Sequence, residues 1–342
     1  MSAYEEIKAM LKHEPRTWLV TGVAGFIGSH LLEALLKLDQ RVVGLDNFST
    51  GKKPNLEQVK ELVSAPQWQR FRFTEGDIVD LDTCSRACKG VDFVLHEAAL
   101  GSVPLSMAEP LRCHASNVTG FLNVLVASRE TGIRRVIYAS SSAVYGDDPV
   151  LPKVEDQLGK PLFPYAASKV MDEIYARVFA SAFGLASIGL RYFNVFGPRQ
   201  DPAGAYAAVI PKWLSAMLRR EPVRIHGTGE TSRDFCFVEN IVQSNLLAAT
   251  THNPEAVNQL YNIGLGQMTT LKDLFDLLQR ILQRRFADLP QQRPIHDDFR
   301  PGDVLHSLAD IRKAQQRLGY APSHGLEQGL DLAMDWYCAN LD

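Results

Sequence analysis

The stretch that decides the fold is Val20-Thr-Gly-Val-Ala-Gly-Phe-Ile-Gly28. Its glycines, Gly22, Gly25 and Gly28, recur at three-residue spacing between an apolar strand pattern and an amphipathic helix pattern over 27–38. A glycine-rich turn lets backbone N–H groups come close to a pyrophosphate, and the helix N-terminus adds a partial positive charge. The turn therefore predicts a dinucleotide at the start of this helix.

The residue that ends the next apolar run indicates which dinucleotide is bound. The run 41–45 closes on Asp46, where a carboxylate can accept hydrogen bonds from both ribose hydroxyls. The same carboxylate would repel a 2′-phosphate, so we expect NAD rather than NADP. Lys52 and Lys53 are a mild signal in the opposite direction.

Composition excludes several classes of protein. The chain has 342 residues, of which 46% are hydrophobic, and its net charge is −3 with no basic block, so we expect no nucleic-acid partner. The segment 1–16 has no apolar core typical of a signal peptide, and its apolar residues have helical spacing. No apolar run approaches the ~20 residues of a membrane span, so no membrane partner is expected. Five cysteines, an odd number, favour reduced thiols and a cytoplasmic protein with no metal site.

Up to residue 195 the pattern alternates between strand and helix. Helical patterns are clearest over 110–130 and 165–183. Such alternation predicts an α/β fold with a Rossmann-like, doubly wound parallel sheet. Right-handed crossovers place the strand ends, where ligands bind, on one edge. The predicted strands cover 17–21, 41–45, 70–74, 91–96, 135–140 and 186–192.

Beyond residue 195 the alternation weakens and prolines divide the chain into short pieces. We therefore predict an NAD-binding domain over 1–195 and a smaller, mixed α/β C-terminal lobe over 196–342 that mainly binds substrate. A helix near 241–250 is expected to return to the first domain.

Three polar residues that follow the fifth predicted strand carry the chemistry. Ser141 stands at the strand end, and Tyr165 and Lys169 open the next helix at i, i+4 spacing, which places them on one face. A lysine ammonium near a phenol favours the phenolate, which can act as a general base or, when protonated, as an acid. A strand-end serine can hydrogen-bond the same substrate hydroxyl. The pattern predicts proton transfer beside the dinucleotide.

With these motifs in place, the chain resembles the extended short-chain dehydrogenase/reductase family over essentially its whole length. Within that family it is similar to the nucleotide-sugar 4-epimerases, and more narrowly to the UDP-N-acetylglucosamine 4-epimerases of bacterial surface-polysaccharide pathways. The wider resemblance rests on the glycine turn, Asp46, Asp77-Ile78, His96-Glu97-Ala98-Ala99, Ser141, Tyr165/Lys169 and Arg191-Tyr-Phe-Asn194. The narrower one rests on Ala99-Leu-Gly-Ser-Val-Pro104, Gly204-Ala-Tyr-Ala-Ala-Val-Ile-Pro-Lys212 and Thr231-Ser-Arg-Asp-Phe-Cys236.

The resemblance implies an isomerase that keeps NAD tightly bound and works as a homodimer. Tyr165, Lys169 and Ser141 would be catalytic, with a 4-keto sugar as the intermediate. Glu97, by contrast, is expected to be structural or to lie outside the pocket. The residues implied to bind the cofactor are Gly22, Gly25, Phe26, Ile27, Gly28, Asp46, Asn47, Asp77, Ile78, Ala98, Ala99, Tyr165 and Lys169.

The implied substrate is a UDP-N-acetylhexosamine. In the family, a bulky tyrosine near the C-terminus excludes the 2-acetamido group, and the matching residue here is the small Ser307. The alternatives are the same chemistry on a UDP-uronate sugar and, from another class, a non-catalytic NAD-sensing scaffold. The 4,6-dehydratases and UDP-glucuronate decarboxylases are disfavoured because Ser142 and Ala143 replace the carboxylates that those enzymes need. The residues implied to bind substrate are Gly101, Ser141, Ser142, Asn194, Ala208, Arg233, Arg300, Asp303 and Ser307.

Overall fold

The central element is a parallel sheet whose inner strands are apolar and buried on both faces. The computed structural model describes residues 2–201, 208–299 and 304–341. The strands in chain order are β1 (Thr17–Thr21), β2 (Arg41–Asp46), β3 (Phe71–Glu75), β4 (Phe93–His96), β5 (Arg135–Ser141), β6 (Ser187–Tyr192), β7 (Val195–Phe196), β8 (Arg224–His226), β9 (Ser232–Arg233), β10 (Cys236–Phe237), β11 (Gln259–Ile263), β12 (Thr269–Thr270) and β13 (Ile295–Asp297).

Within the described ranges the central sheet has seven strands in the order β11-β6-β5-β4-β1-β2-β3. Every neighbouring pair is parallel, so the carboxyl ends of all these strands lie on one edge. The strand order reverses between β1 and β4, and a crevice opens at such a switch point. This edge is where the fold can hold a ligand.

Helices cover both faces of the sheet and build the second lobe. Of the helices that the structure describes, none is long and apolar enough to cross a membrane. A π-helix over Ala115–Thr119 joins α7 to α8. The α-helices are α1 (Ala3–His13), α2 (Phe26–Lys37), α3 (Lys53–Leu62), α4 (Ala65–Trp68), α5 (Leu81–Ala87), α6 (Val103–Ala108), α7 (Pro110–His114), α8 (Gly120–Thr131), α9 (Pro164–Phe183), α10 (Val209–Leu218), α11 (Val238–Thr250), α12 (Leu271–Arg285), α13 (Arg312–Leu318) and α14 (Leu326–Asn340).

The fold class and the six predicted strands are confirmed, with ends that shift by one or two residues. Helices are also present where the sequence predicted them at the N-terminus and near 241–250, as α1 and as α11, which is buried except at Glu239. The sequence analysis missed β11, which pairs with β6 and extends the sheet beyond the six predicted strands. Its five residues lie in the range given to the second lobe, and the proposed division at residue 195 stays a prediction.

A second, smaller core lies between α10, α12 and α14. Trp213, Phe275 and Tyr337 are buried there among aliphatic side chains. The Tyr337 hydroxyl accepts a hydrogen bond from Gly197 N and donates to Gly197 O, both at 3.1 Å, which fixes the chain just after β7. The second core therefore packs against the segment that leaves the sheet edge.

A buried ion pair fastens α9 to the sheet. Arg191 on β6 donates from Nε and Nη2 to the two carboxylate oxygens of Glu173, both at 2.8 Å, and both side chains are almost fully buried. The Ser140 hydroxyl donates to Glu173 Oε1 at 2.6 Å, and Arg191 Nη1 donates to the Tyr145 hydroxyl at 3.1 Å. These bonds fix the position of the helix that carries Tyr165 and Lys169.

We predict that Glu173→Gln lowers the free energy of unfolding by roughly 3–5 kcal/mol, because it leaves the Arg191 guanidinium buried without a counter-charge. Urea denaturation followed by circular dichroism measures the change. The double variant Arg191→Met, Glu173→Met removes both charges and should lose less than the single variant. A loss below about 1 kcal/mol for Glu173→Gln would mean that the pair does not hold α9 in place.

Candidate active site

The sheet edge carries a cavity of about 420 Å³ at the switch point between β1 and β4. This volume lies within the ~300–1,000 Å³ typical of small-molecule sites. Its walls come from the glycine turn, the ends of five central strands and the first turns of α9. Residues far apart in the sequence meet here because parallel strands end on the same edge.

The glycine turn approaches β4 too closely for any side chain. Gly22 has φ +68°, and a Cβ there would lie 2.8 Å from the backbone N and Cα of Ala98. A Cβ on Gly28 would lie 2.1 Å from the carbonyl oxygen of Gly22. Gly25 caps α2 without a side-chain hydrogen bond, and the first turn holds no acid. The first residues of α2 line the cavity, so the N-terminus of this helix can serve as an anion site.

Asp46 is held at the position expected for a ribose acceptor. Its Oδ2 accepts from Ala24 N at 2.9 Å and its Oδ1 accepts from Phe48 N at 2.8 Å. A Cβ on Gly51 would lie 2.8 Å from both oxygens, so the neighbouring loop also needs a glycine. Each carboxylate oxygen can accept more than one bond, so Asp46 keeps capacity for hydroxyl donors.

Lys52 and Lys53, the two residues that could favour the 2′-phosphate of NADP, interact with other side chains in the structure. Lys52 Nζ lies 2.8 Å from Asp201 Oδ1, and Lys53 Nζ lies 5.2 Å from the centre of the Phe48 ring. Further along the wall, Asn47 Nδ2 donates to Asp77 Oδ2 at 2.8 Å. The surroundings of Asp46 thus favour hydroxyl groups over a further phosphate.

Ser141 and Tyr165 reach the cavity from neighbouring elements. Ser141 ends β5, and its Oγ accepts from Ala143 N at 3.1 Å, so the hydroxyl proton can still be donated. Tyr165 stands in the first turn of α9, and its backbone N–H donates to Ser106 Oγ at 3.1 Å. Both residues line the cavity. A substrate hydroxyl between them could be bound and deprotonated.

Lys169 lies beneath Tyr165 on the same face of α9 and is almost fully buried. Its Nζ donates to the Ala139 carbonyl at 2.9 Å and lies 3.2 Å from Asp172 Oδ2. Burial lowers the pKa of Lys169, but Asp172, Tyr165 and Glu97 together outweigh this and hold the pKa above its ordinary value. The side chain therefore stays an ammonium and can stabilise a phenolate at Tyr165.

Glu97, which sequence reasoning had placed in a structural role or outside the pocket, lines the cavity wall. The Tyr192 hydroxyl donates to Glu97 Oε1 at 2.9 Å, and Asn245 Nδ2 donates to the Tyr192 oxygen at 2.8 Å. Burial raises the pKa of Glu97 to about 8, while Tyr192 and Lys169 lower it by less. The position of this acid, just after a strand that ends at the ligand-binding edge, could have indicated from the sequence that it lines the cavity.

Asn117 was also missed by the sequence analysis. It lies on the π-helix, and its Oδ1 accepts from Leu100 N at 2.8 Å. Its Nδ2 donates to Leu100 O at 3.3 Å and to Ser168 Oγ at 3.0 Å. Asn117 thereby joins the loop after β4 to α9, and π-turns are frequent at functional sites. A buried asparagine within an apolar helix pattern was the available signal.

The structure brings most of the predicted residues together. All the predicted cofactor-binding residues line the cavity, as do Gly101, Ser141, Ser142 and Asn194 from the substrate set. Ala208, Arg233 and Ser307 do not line it; Ser307 N donates to Ser232 O at 3.1 Å and Arg233 Nη1 donates to the same oxygen at 2.8 Å. Arg300 and Asp303 fall outside the described residues. The roles of all these residues stay predictions.

We predict that Glu97→Gln becomes more stable relative to the parent protein as the pH rises from about 5 to 8. The folded state holds the Glu97 proton up to a pKa of about 8, whereas the unfolded chain loses it near 4.5. The parent therefore loses stability across this window, and glutamine does not titrate. Urea denaturation of both proteins at each pH gives the difference. A difference that is constant over the window would contradict the assignment of a neutral Glu97.

Comparisons with known proteins identify the family of the chain. The model of the NAD dependent epimerase/dehydratase family matches residues 18–264. A solved UDP-N-acetylglucosamine 4-epimerase from Methanobrevibacter ruminantium M1, in complex with UDP-N-acetylmuramic acid, is 39% identical with a TM-score of 0.86 and covers 95% of this chain and 99% of its own. UDP-glucose 4-epimerase from Thermotoga maritima, solved with UDP-glucose, is 36% identical with a TM-score of 0.85 and covers 95% and 100%.

A third solved structure is UDP-glucuronic acid 4-epimerase from Bacillus cereus with UDP-glucuronic acid and NAD. It is 30% identical, has a TM-score of 0.84, and covers 94% of this chain and 99% of its own. The three relatives differ in their sugars but share the fold and nearly the full length. The chain belongs to the NAD dependent epimerase/dehydratase family, and its cofactor is NAD.

Proposed function

We propose that the protein is a 4-epimerase of a UDP-N-acetylhexosamine, which interconverts UDP-N-acetylglucosamine and UDP-N-acetylgalactosamine. The observation that carries the proposal is the presence of Ser141, Tyr165 and Lys169 on the cavity that the glycine turn and Asp46 also line. Relatives that match over nearly their whole length are 4-epimerases of UDP-sugars. The narrower motif resemblance favours an N-acetylated sugar for surface-polysaccharide synthesis.

The residues divide the chemistry between binding and proton transfer. The turn from Gly22 to Gly28 would bind the pyrophosphate of NAD, and Asp46 would accept the ribose hydroxyls. When bound, NAD would supply the acceptor for a hydride from the sugar carbon C4 and the donor for its return. Ser141 would hold the 4-hydroxyl, and Tyr165 as phenolate would take its proton and give it back, with Lys169 stabilising the phenolate.

The reaction has no net redox change, so NAD can stay bound through many cycles. Asp46 is fixed by two backbone N–H groups, and the closed glycine turn adds further contacts, which supports tight retention. Charge-assisted bonds of this kind contribute ~1.5–3 kcal/mol each. A non-catalytic NAD sensor would not need the complete proton-transfer set that this chain has.

Homodimer formation is also part of the proposal. The outer face of α9 presents Met171, Ile174 and Val178 to solvent at helical spacing, and Leu111 of the adjacent α7 is 86% exposed. Contiguous apolar faces of this kind are typical of interaction surfaces. The molar mass in solution, measured by light scattering, tests whether two copies associate.

We predict that Tyr165→Phe folds and keeps its NAD but loses turnover by roughly 10²–10⁴-fold, because the general base is gone. Ser141→Ala should lose less, since it removes one hydrogen bond and leaves the base. Turnover is measured by incubating each protein with a panel of UDP-sugars, including UDP-uronates, and separating the 4-epimers by chromatography. Tyr175→Phe, on the same helix but outside the cavity, is the matched control. Near-parental turnover by Tyr165→Phe would show that the base is misassigned.

We predict that Ser307→Tyr separates the sugar classes. A tyrosine at this position would occupy the space of the 2-acetamido group, at a cost of ~1–3 kcal/mol or more, while a 2-hydroxyl would still fit. The ratio of kcat/KM for UDP-N-acetylglucosamine to that for UDP-glucose should therefore fall at least tenfold. Ser307→Ala should leave the ratio unchanged. Equal losses on both sugars would remove Ser307 from the substrate site and weaken the choice of an N-acetylated sugar.

A further inference from the structure

A second acid lies behind Lys169, on the side away from the cavity. Asp172 follows Lys169 by three residues on α9, and its side chain is 1% exposed. Its Oδ2 lies 3.2 Å from Lys169 Nζ, which also donates to the Ala139 carbonyl at 2.9 Å. Asp172 does not line the cavity. Asp172 therefore cannot touch a ligand in the cavity, and it acts on the site through its contact with Lys169 and through its own charge.

The position is costly for the fold. Among the described residues Asp172 Oδ1 has no hydrogen-bond partner although it is fully buried. The next residue, Glu173, is already paired with Arg191 and adds negative charge nearby. A buried carboxylate with an unpartnered oxygen carries a desolvation cost, which the Lys169 ammonium beside it offsets in part.

The groups that face this pair come from four elements. Asp172 interacts electrostatically with Lys169 and Glu173 on its own helix. It also interacts with Cys113 on α7 and with Tyr138 on β5. Lys169 in turn interacts with Tyr165 on its own helix and with His96 and Glu97 at the end of β4. The ammonium is thus shared between Tyr165 at the cavity and Asp172 behind it.

We propose that Asp172 is a positioning residue for Lys169. The Asp172 carboxylate holds the Lys169 ammonium against the Ala139 carbonyl and offsets part of the ammonium charge. Asp172 thereby weakens the attraction between Lys169 and the Tyr165 phenolate. The inference rests on the proposed function, in which Tyr165 is the base. Burial raises the pKa of Asp172 to about 7, while Lys169 lowers it by less. The offset is therefore present above about pH 7 and lost below it.

The test is Asp172→Asn, which keeps the shape and an acceptor oxygen but removes the charge. The first readout needs no substrate: the phenolate of Tyr165 is titrated by near-ultraviolet difference absorbance between Asp172→Asn and the double variant Asp172→Asn, Tyr165→Phe. The difference in absorbance between the parent protein and Tyr165→Phe gives the reference titration curve for Tyr165 with Asp172 present. Asp172 follows Tyr165 by seven residues on α9, which is about 10 Å along the helix axis. A buried charge at about 10 Å shifts a pKa by about one pH unit, so the curve should move to lower pH by about that amount.

The second readout is the pH profile of kcat with the best UDP-sugar, whose acidic limb should move in the same direction. Asp172→Glu restores a carboxylate and should bring both curves back towards the parent. Asp148→Asn makes the same change in another Asp–Lys pair, Asp148–Lys153, outside the cavity, and should move neither curve.

The two readouts separate the inference from the proposed function. If no UDP-sugar reacts but the absorbance curve moves, the proposed function fails and the role of Asp172 stands. If turnover is normal but the absorbance curve of Asp172→Asn stays within about 0.2 pH units of the parent, or moves to higher pH, the role of Asp172 is wrong. Failure of Asp172→Glu to restore the curve would equally overturn it.

Discussion

A lysine ammonium stays charged inside a protein only where acids and carbonyl groups surround it, and Lys169 is such a case. Its amino group has the Ala139 carbonyl and Asp172 as direct partners, and its charge also interacts with Tyr165 and Glu97. Because the charge is buried, its effect on the nearby phenol is far less screened than at the surface. The proposed base depends on this arrangement.

The fold supplies the arrangement through one constraint, which is that parallel strands end on one edge. That edge brings the glycine turn after β1, Asp46 at the end of β2, Glu97 after β4 and Ser141 at the end of β5 to one cavity. The ion pair between Arg191 and Glu173 then fastens α9 against the same sheet. The binding groups and the proton-transfer groups are thus positioned by different elements that share a rigid support.

The sequence predicted the parts of this site that have a local signal. The glycine turn, Asp46 and the Tyr165/Lys169 spacing are each visible within a few residues, and the buried strands stand out as apolar runs. The strand Gln259–Ile263 was missed because it has mixed polarity and becomes part of the sheet only by pairing with β6. Glu97 and Asp172 are ordinary acids in the sequence, and their burial beside Lys169 is set by tertiary contacts. Ser307 lies outside the cavity that the described residues form, so the sugar specificity still rests on the resemblance.

In the proposed reaction a hydride leaves C4 of the sugar and returns to the same carbon within one cavity. This step is tested most directly with UDP-N-acetylglucosamine that carries deuterium at C4, incubated with the purified protein in ordinary water and analysed by mass spectrometry and NMR. We expect UDP-N-acetylgalactosamine that retains the deuterium at C4. Epimer that has lost the label to solvent would mean that C4 is deprotonated instead, and the absence of any epimer from this sugar would contradict the proposed substrate.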